Sequence, residues 1–179
     1  LPMYDPTVFD NLKVAFENEL YDLDNLEEEI TIVSRKDTLE MSIMAKEFRI
    51  GFQLSDEHAV TAEVCLYASL QDLASEILEE PNSNPSCTLR LFFYVDIDRN
   101  KVEAQCSKIE KGLGDIWTQQ NPPKQTLQYQ YAREKTIHNT IEINFNRKIN
   151  ENQMEDIPNL IEHMLHSLEM LTDMYKEAL

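Results

Sequence analysis

Residues Thr88-Leu-Arg-Leu-Phe-Phe-Tyr-Val-Asp-Ile97 place Leu89, Leu91, Phe93, Val95 and Ile97 on one parity and Phe92 and Tyr94 on the other. A strand apolar on both faces through its middle is predicted to lie inside a sheet, with neighbours on either side. On the N-terminal side, period-two runs pass through Leu39, Met41 and Ile43, then Phe48, Ile50, Phe52 and Leu54, then Val60, Ala62, Val64 and Leu66. The parity reverses at Ala45-Lys46-Glu47, which requires a tight turn or a bulge, because a one-residue slip turns every side chain to the opposite face. On the C-terminal side, Leu127–Arg133 and Ile137–Arg147 alternate as a hairpin closed by Glu134-Lys135-Thr136. The economical reading is an antiparallel sheet.

Helices are expected between and around these strands. Ser69 with Asp72 forms a capping box before the stripe Leu70, Leu73, Ala74, Ile77 and Leu78, and Pro81–Ser86 reads as a surface loop. Asn100 with Glu103 is the N-cap signature of a helix striped by Val102, Cys106, Ile109, Leu113 and Trp117, closed by Pro122-Pro123. At the N-terminus, Phe9, Leu12, Phe16, Leu20 and Leu23 make one apolar stripe that Asp5 before Pro6 would cap, and the period changes to that of a strand at Ile30–Val33. A last helix starts at Asp156 before Pro158 and runs through Ile161, Met164, Leu165, Leu168, Leu171 and Tyr175. Together these elements predict one α+β domain over residues 1–179: a mainly antiparallel sheet of five to seven strands packed by about four helices, with helices at both termini. Met3 is read as the natural start, so Leu1 and Pro2 carry no weight in the fold. This layout, an acidic protein with helical ends around an antiparallel sheet, is similar to that of secretion chaperones, a likeness of topology and not of motif.

The net charge of −17 is unevenly placed. Residues 1–30 hold nine carboxylates against one lysine and residues 151–179 hold seven against one, while 31–150 are close to balanced with 17 against 14. Acidic helical ends around a near-neutral body repel nucleic acid and anionic membranes and favour a basic partner. Cys65, Cys87 and Cys106 form no CxxC pair and leave one thiol over in any disulfide scheme, which points to free thiols and a reducing, cytoplasmic setting. No apolar run approaches the ~20 residues of a membrane helix, so no membrane is expected as a partner.

Chemical motifs are sparse. On the final helix Glu162, His166, Glu169 and Asp173 fall within about 60° of one another at 100° per residue, opposite the apolar arc, and so are read as a solvated face, not a metal site. Asp96-Ile-Asp98-Arg-Asn100 opens like a calcium loop but has Lys101 at the sixth position and Ser107 at the twelfth, where glycine and glutamate are needed. A cap at Asp98 or Asn100, with Asp96 paired to Arg99 or Lys101, accounts for it. No lysine follows an acidic residue by two positions, as a common nuclease site requires, and three glycines are too few for a phosphate-cradling loop. Neither cofactor nor metal is expected.

The favoured function is a non-enzymatic acidic protein-interaction module, an adaptor, chaperone or antagonist of a partner with a basic surface. The candidate partner-binding residues are Glu162, Glu169 and Asp173 on the last helix, and Tyr67, Phe92 and Tyr94 on the reverse face of the sheet among Thr61, Glu63, Arg90, Gln128 and Gln130. Those aromatic and arginine side chains would suit a partner or a homodimer if no helix covers them. One alternative is an anionic mimic that blocks a nucleic-acid-binding enzyme, and another is a small enzyme with a carboxylate site near Asp96 and Asp98.

Overall fold

A computed structural model describes residues 7–118, 122–132 and 135–178. In chain order the elements are α1 (Val8–Asn25), β1 (Ile30–Glu40), β2 (Ala45–Leu54), β3 (Thr61–Ala68), α2 (Leu70–Ile77), β4 (Thr88–Asp98), α3 (Val102–Ile116), β5 (Lys124–Gln128), β6 (Thr136–Asn144) and α4 (Ile157–Glu177), the last preceded by a 3-10 turn over Glu151–Asp156. The six strands form one antiparallel sheet in the order β1-β2-β3-β4-β6-β5. The fold is therefore α+β, with helices near both ends and the strand at 88–98 interior as its two-sided pattern requires. Among the described residues no helix is long and apolar enough to cross a membrane.

The core is one-sided. It takes Phe48, Ile50 and Phe52 from β2, Val64 and Leu66 from β3, Leu91, Phe93 and Val95 from β4, and Ile141 and Ile143 from β6, all of one sheet face. Against them lie Phe9, Leu12, Phe16 and Leu20 of α1, Ile109 and Leu113 of α3, and Ile161, Met164, Leu168 and Leu171 of α4. Gly112 permits the close approach of α3 to α4, since a Cβ there would stand 2.3 Å from the Met170 sulfur. Trp117 ends α3 by donating its indole N–H to Ser167 Oγ on α4 at 2.8 Å. Gln125 on β5 donates to the Cys106 carbonyl and accepts from the buried Asn139 of β6, each at 2.8 Å, so the far edge of the sheet is tied to α3 through polar groups.

Several local expectations are corrected. Leu39, Met41 and Ile43 do not continue a buried alternation: β1 stops at Glu40, and Met41–Met44 form the turn that reverses parity, with Met41 71% exposed and Met44 at φ +52°. A separate bulge lies between Ile32 and Ser34. The Ser69–Asp72 capping box is present, but the α2 stripe is not sealed, and Leu70, Ile77 and Leu78 are exposed. The N-cap of α3 is Lys101, not Asn100; the Asn100 N–H instead donates to Asp98 Oδ1 at 2.8 Å, a side-chain turn that competes with capping. The strand expected at Leu127–Arg133 sits earlier, at Lys124–Gln128, because its hydrogen-bonding register is set by β6 and not by its own weak alternation. Gln130 consequently lies beyond the strand, and Arg133 and Glu134 lie outside the described residues, as does Asp5; α1 is capped by Thr7, whose hydroxyl accepts from the Asp10 N–H while the Asp10 carboxylate accepts from the Thr7 N–H.

Removing a fully buried ring from the interior strand leaves a cavity, so Phe93→Ala is expected to cost about 3–5 kcal/mol. Ile77→Ala, on the exposed stripe of α2, is expected to stay within about 0.5 kcal/mol. Urea unfolding of both variants reads the contrast, and equal losses would mean that α2 packs more deeply than the fold shows.

Candidate functional site

Two surfaces on opposite sides of the sheet hold the candidate residues. On the helical side, Glu162, His166, Glu169 and Asp173 of α4 are exposed. Glu162 and Glu169 border a shallow concavity with Glu29, and Glu169 and Glu29 border a second with Glu28, Asp56 and Glu57. Leu165 lines both. Carboxylates from the α1–β1 connection, the β2–β3 connection and α4 thus meet, although they are far apart in the chain. Asp173 stands further along α4, in a concavity shared with Lys108 and Glu177, which pair at 2.6 Å. Lys176 is bound by Glu57, which holds its ammonium above the ordinary lysine range. Not every terminal carboxylate is free, since Glu17 of α1 is half-buried and accepts from Arg35 of β1 at 2.9 Å.

The other surface is the far face of the sheet. Side chains of this parity are absent from the core, and Cys65 and Phe92 are buried without belonging to it. Tyr67, Phe92 and Tyr94 stand here together, as the alternation predicts, but Phe92 is only 7% exposed because Arg49 and Arg90 lie over its ring at 5.1 and 5.6 Å. Arg49 donates to Glu47 at 2.8 Å and to Glu63 at 2.7 Å. Arg90 reaches Glu47 and Glu142 at 3.7 and 3.8 Å. The Tyr94 hydroxyl donates to Glu63 at 2.9 Å, and the Tyr94 ring stacks on Phe92 and on His138. The arginine hydrogen bond holds the Glu47 carboxyl below the usual range. Burial works against the Arg49 charge, but its carboxylate partners outweigh that and raise its pKa. Burial first, and then the bond to Glu63, push the Tyr94 phenol up.

By register this face carries Lys36, Arg49, Arg90 and Lys124 against Glu40, Glu47, Glu63, Asp96, Asp98 and Glu142, a net charge of −2 out of −17. Arg49, Glu47 and Glu142 were not singled out from the sequence. The registers that align them pair β2 with β3, β3 with β4 and β4 with β6, and no local pattern marks which arginine faces which carboxylate.

Near Asp96 a cavity of about 220 Å³ opens between β4, α3 and α4, floored by Ile97, Ile109 and Leu171, with Lys101 and Gln105 at its side. Asp96 reaches its rim but pairs with His138 at 3.0 Å, not with Arg99 or Lys101. Asp98 does not line the cavity and is occupied by the Asn100 N–H and, at 4.0 Å, by Lys101. The two carboxylates therefore do not converge on one point inside it. Among the described residues no three His, Cys, Asp or Glu side chains are grouped to hold a metal ion. Burial raises the Cys65 thiol to about 11 and the Cys87 thiol to about 12, well above a range suited to nucleophilic thiolates.

No known protein family matches this chain, and no curated protein or solved structure is significantly similar to it.

The lowered Glu47 pKa ties stability to pH. A carboxylate whose folded pKa lies below its unfolded value contributes stability that is present above about pH 4.3 and lost as pH falls through the folded pKa. Glu47→Gln is expected to lower stability by about 1 kcal/mol at pH 7, since the pair is partly solvated, and to lie closer to the wild type at pH 3 than at pH 7. Denaturant titrations at the two pH values check this.

Proposed function

We infer that this chain is a non-enzymatic protein-interaction module of the adaptor, chaperone or antagonist kind, and that it docks a partner with a basic surface on its helical side. The observation that carries this reading is the meeting of Glu28, Glu29, Asp56, Glu57, Glu162 and Glu169 around two adjoining concavities. Gathered charge of one sign steers an oppositely charged partner and raises its association rate. Apolar side chains at the surface favour a protein partner over a role as a nucleic-acid mimic: the partly buried Leu165 lines both acidic concavities, and the exposed Leu39, Met41, Ile43 and Met44 crowd the β1–β2 turn.

The test is affinity capture from the host at low and high salt, followed by association kinetics with the recovered protein. The triple variant Glu162→Gln, Glu169→Gln, Asp173→Asn is expected to slow association by about tenfold at low salt and to leave the melting temperature nearly unchanged. Rates should also fall as salt screens charges beyond ~8 Å. Capture of the same partners at the same rate by the triple variant would remove the acidic side from consideration.

A further inference from the structure

The antiparallel register lines up the far-face residues in rows across the strands. One row is basic: Lys36 on β1, Arg49 on β2 and Arg90 on β4, with Cys65 between the arginines. The next row, two residues along, is acidic, with Glu63 on β3 and Glu142 on β6 flanking Phe92, Gly51 on β2 and Lys124 at the far edge.

We propose that this face is a homodimer interface, in which a second copy docks sheet to sheet about a two-fold axis running between the two rows. Such an axis sets the basic row of each copy over the acidic row of the other. Arg90 then stands opposite Glu63 and Glu142 of the second copy, carboxylates that would be shared between the incoming guanidinium and the arginines of their own chain, and Arg49 stands opposite its Gly51, beside the Ser34 hydroxyl. The choice of a second copy rests on this self-complementarity and on charge. Two chains of −17 repel each other, and the far face, at −2, carries little of that charge. Five strand spacings by about seven residues give a footprint of about 24 Å by 24 Å, about 1,150 Å² over the two partners, which clears the ~1,000 Å² expected of a biological interface and lies just under the standard size. Aromatic and arginine side chains are the types such interfaces favour.

Sedimentation equilibrium and light scattering of the full chain test the proposal. A species of twice 20.9 kDa is expected at micromolar concentration. Thr88→Glu and Thr140→Glu add a carboxylate to the face without removing any member of its ion-pair network, and each is expected to weaken dimerisation at least tenfold while circular dichroism stays unchanged. The helical-side triple variant should dimerise like the wild type, which separates this proposal from the docking of a basic partner. A wild-type chain that stays monomeric at about 100 μM would overturn it, as would dimers that tolerate both threonine substitutions, since the contact would then lie elsewhere, for example at the exposed Met41–Met44 turn.

Discussion

Among the described residues, helices cover only one face of the six-stranded sheet, and most other features answer to that constraint. The side chains of β4 that point to the helices are aliphatic or aromatic and sealed by α1, α3 and α4. Those that point away have no layer to pack against, so they must shield and satisfy one another. This is why Phe92 is nearly buried under two guanidinium groups and why each guanidinium has carboxylate partners on its own strand or on strands one or two away. A pair left half-made there would cost more than it gave, since an unpartnered charge beside a buried ring keeps its desolvation penalty.

The same one-sidedness sorts the electrostatics. Most carboxylates that pair with arginine lie on the strands, Glu17 of α1 being the exception, while others gather on α4 and on the connections α1–β1 and β2–β3. The two acidic ends of the chain are not separate features in three dimensions, because α1 and α4 pack on the same sheet face and share contacts. Their charges form one side of the molecule, and that side faces away from the balanced network.

Much of this architecture is readable from side-chain period. The interior position of 88–97, the apolar stripes of α1, α3 and α4 and the capping box at Ser69 each follow from local rules with local causes. The β1–β2 turn was opaque for a physical reason: Leu39, Met41 and Ile43 carry a buried-strand pattern at a place where the chain reverses in solvent, and Met44 takes a left-handed conformation that glycine or asparagine normally signals. Asn100 looked like a helix cap, yet its N–H was claimed by Asp98 two residues back. Tyr67, Phe92 and Tyr94 were placed on one face by alternation alone. Their arginine cover was not, because cross-strand partners are set by register between distant segments. Nor does any local pattern show that Glu28 and Asp56 lie beside Glu169.

Trp117 has a use beyond closing α3. It is the chain's single tryptophan, and its ring lies edge-on to Phe145, tilted against His163 and hydrogen-bonded to Ser167. Its neighbours thus come from α4 and from the segment that follows β6. Indole emission therefore reports on one seam only, where the last helix meets the third. The protein carries its own optical label for the docking of its C-terminal helix, at a point remote from the far face of the sheet, so a spectral change on adding a ligand would mean that the helical layer itself had moved.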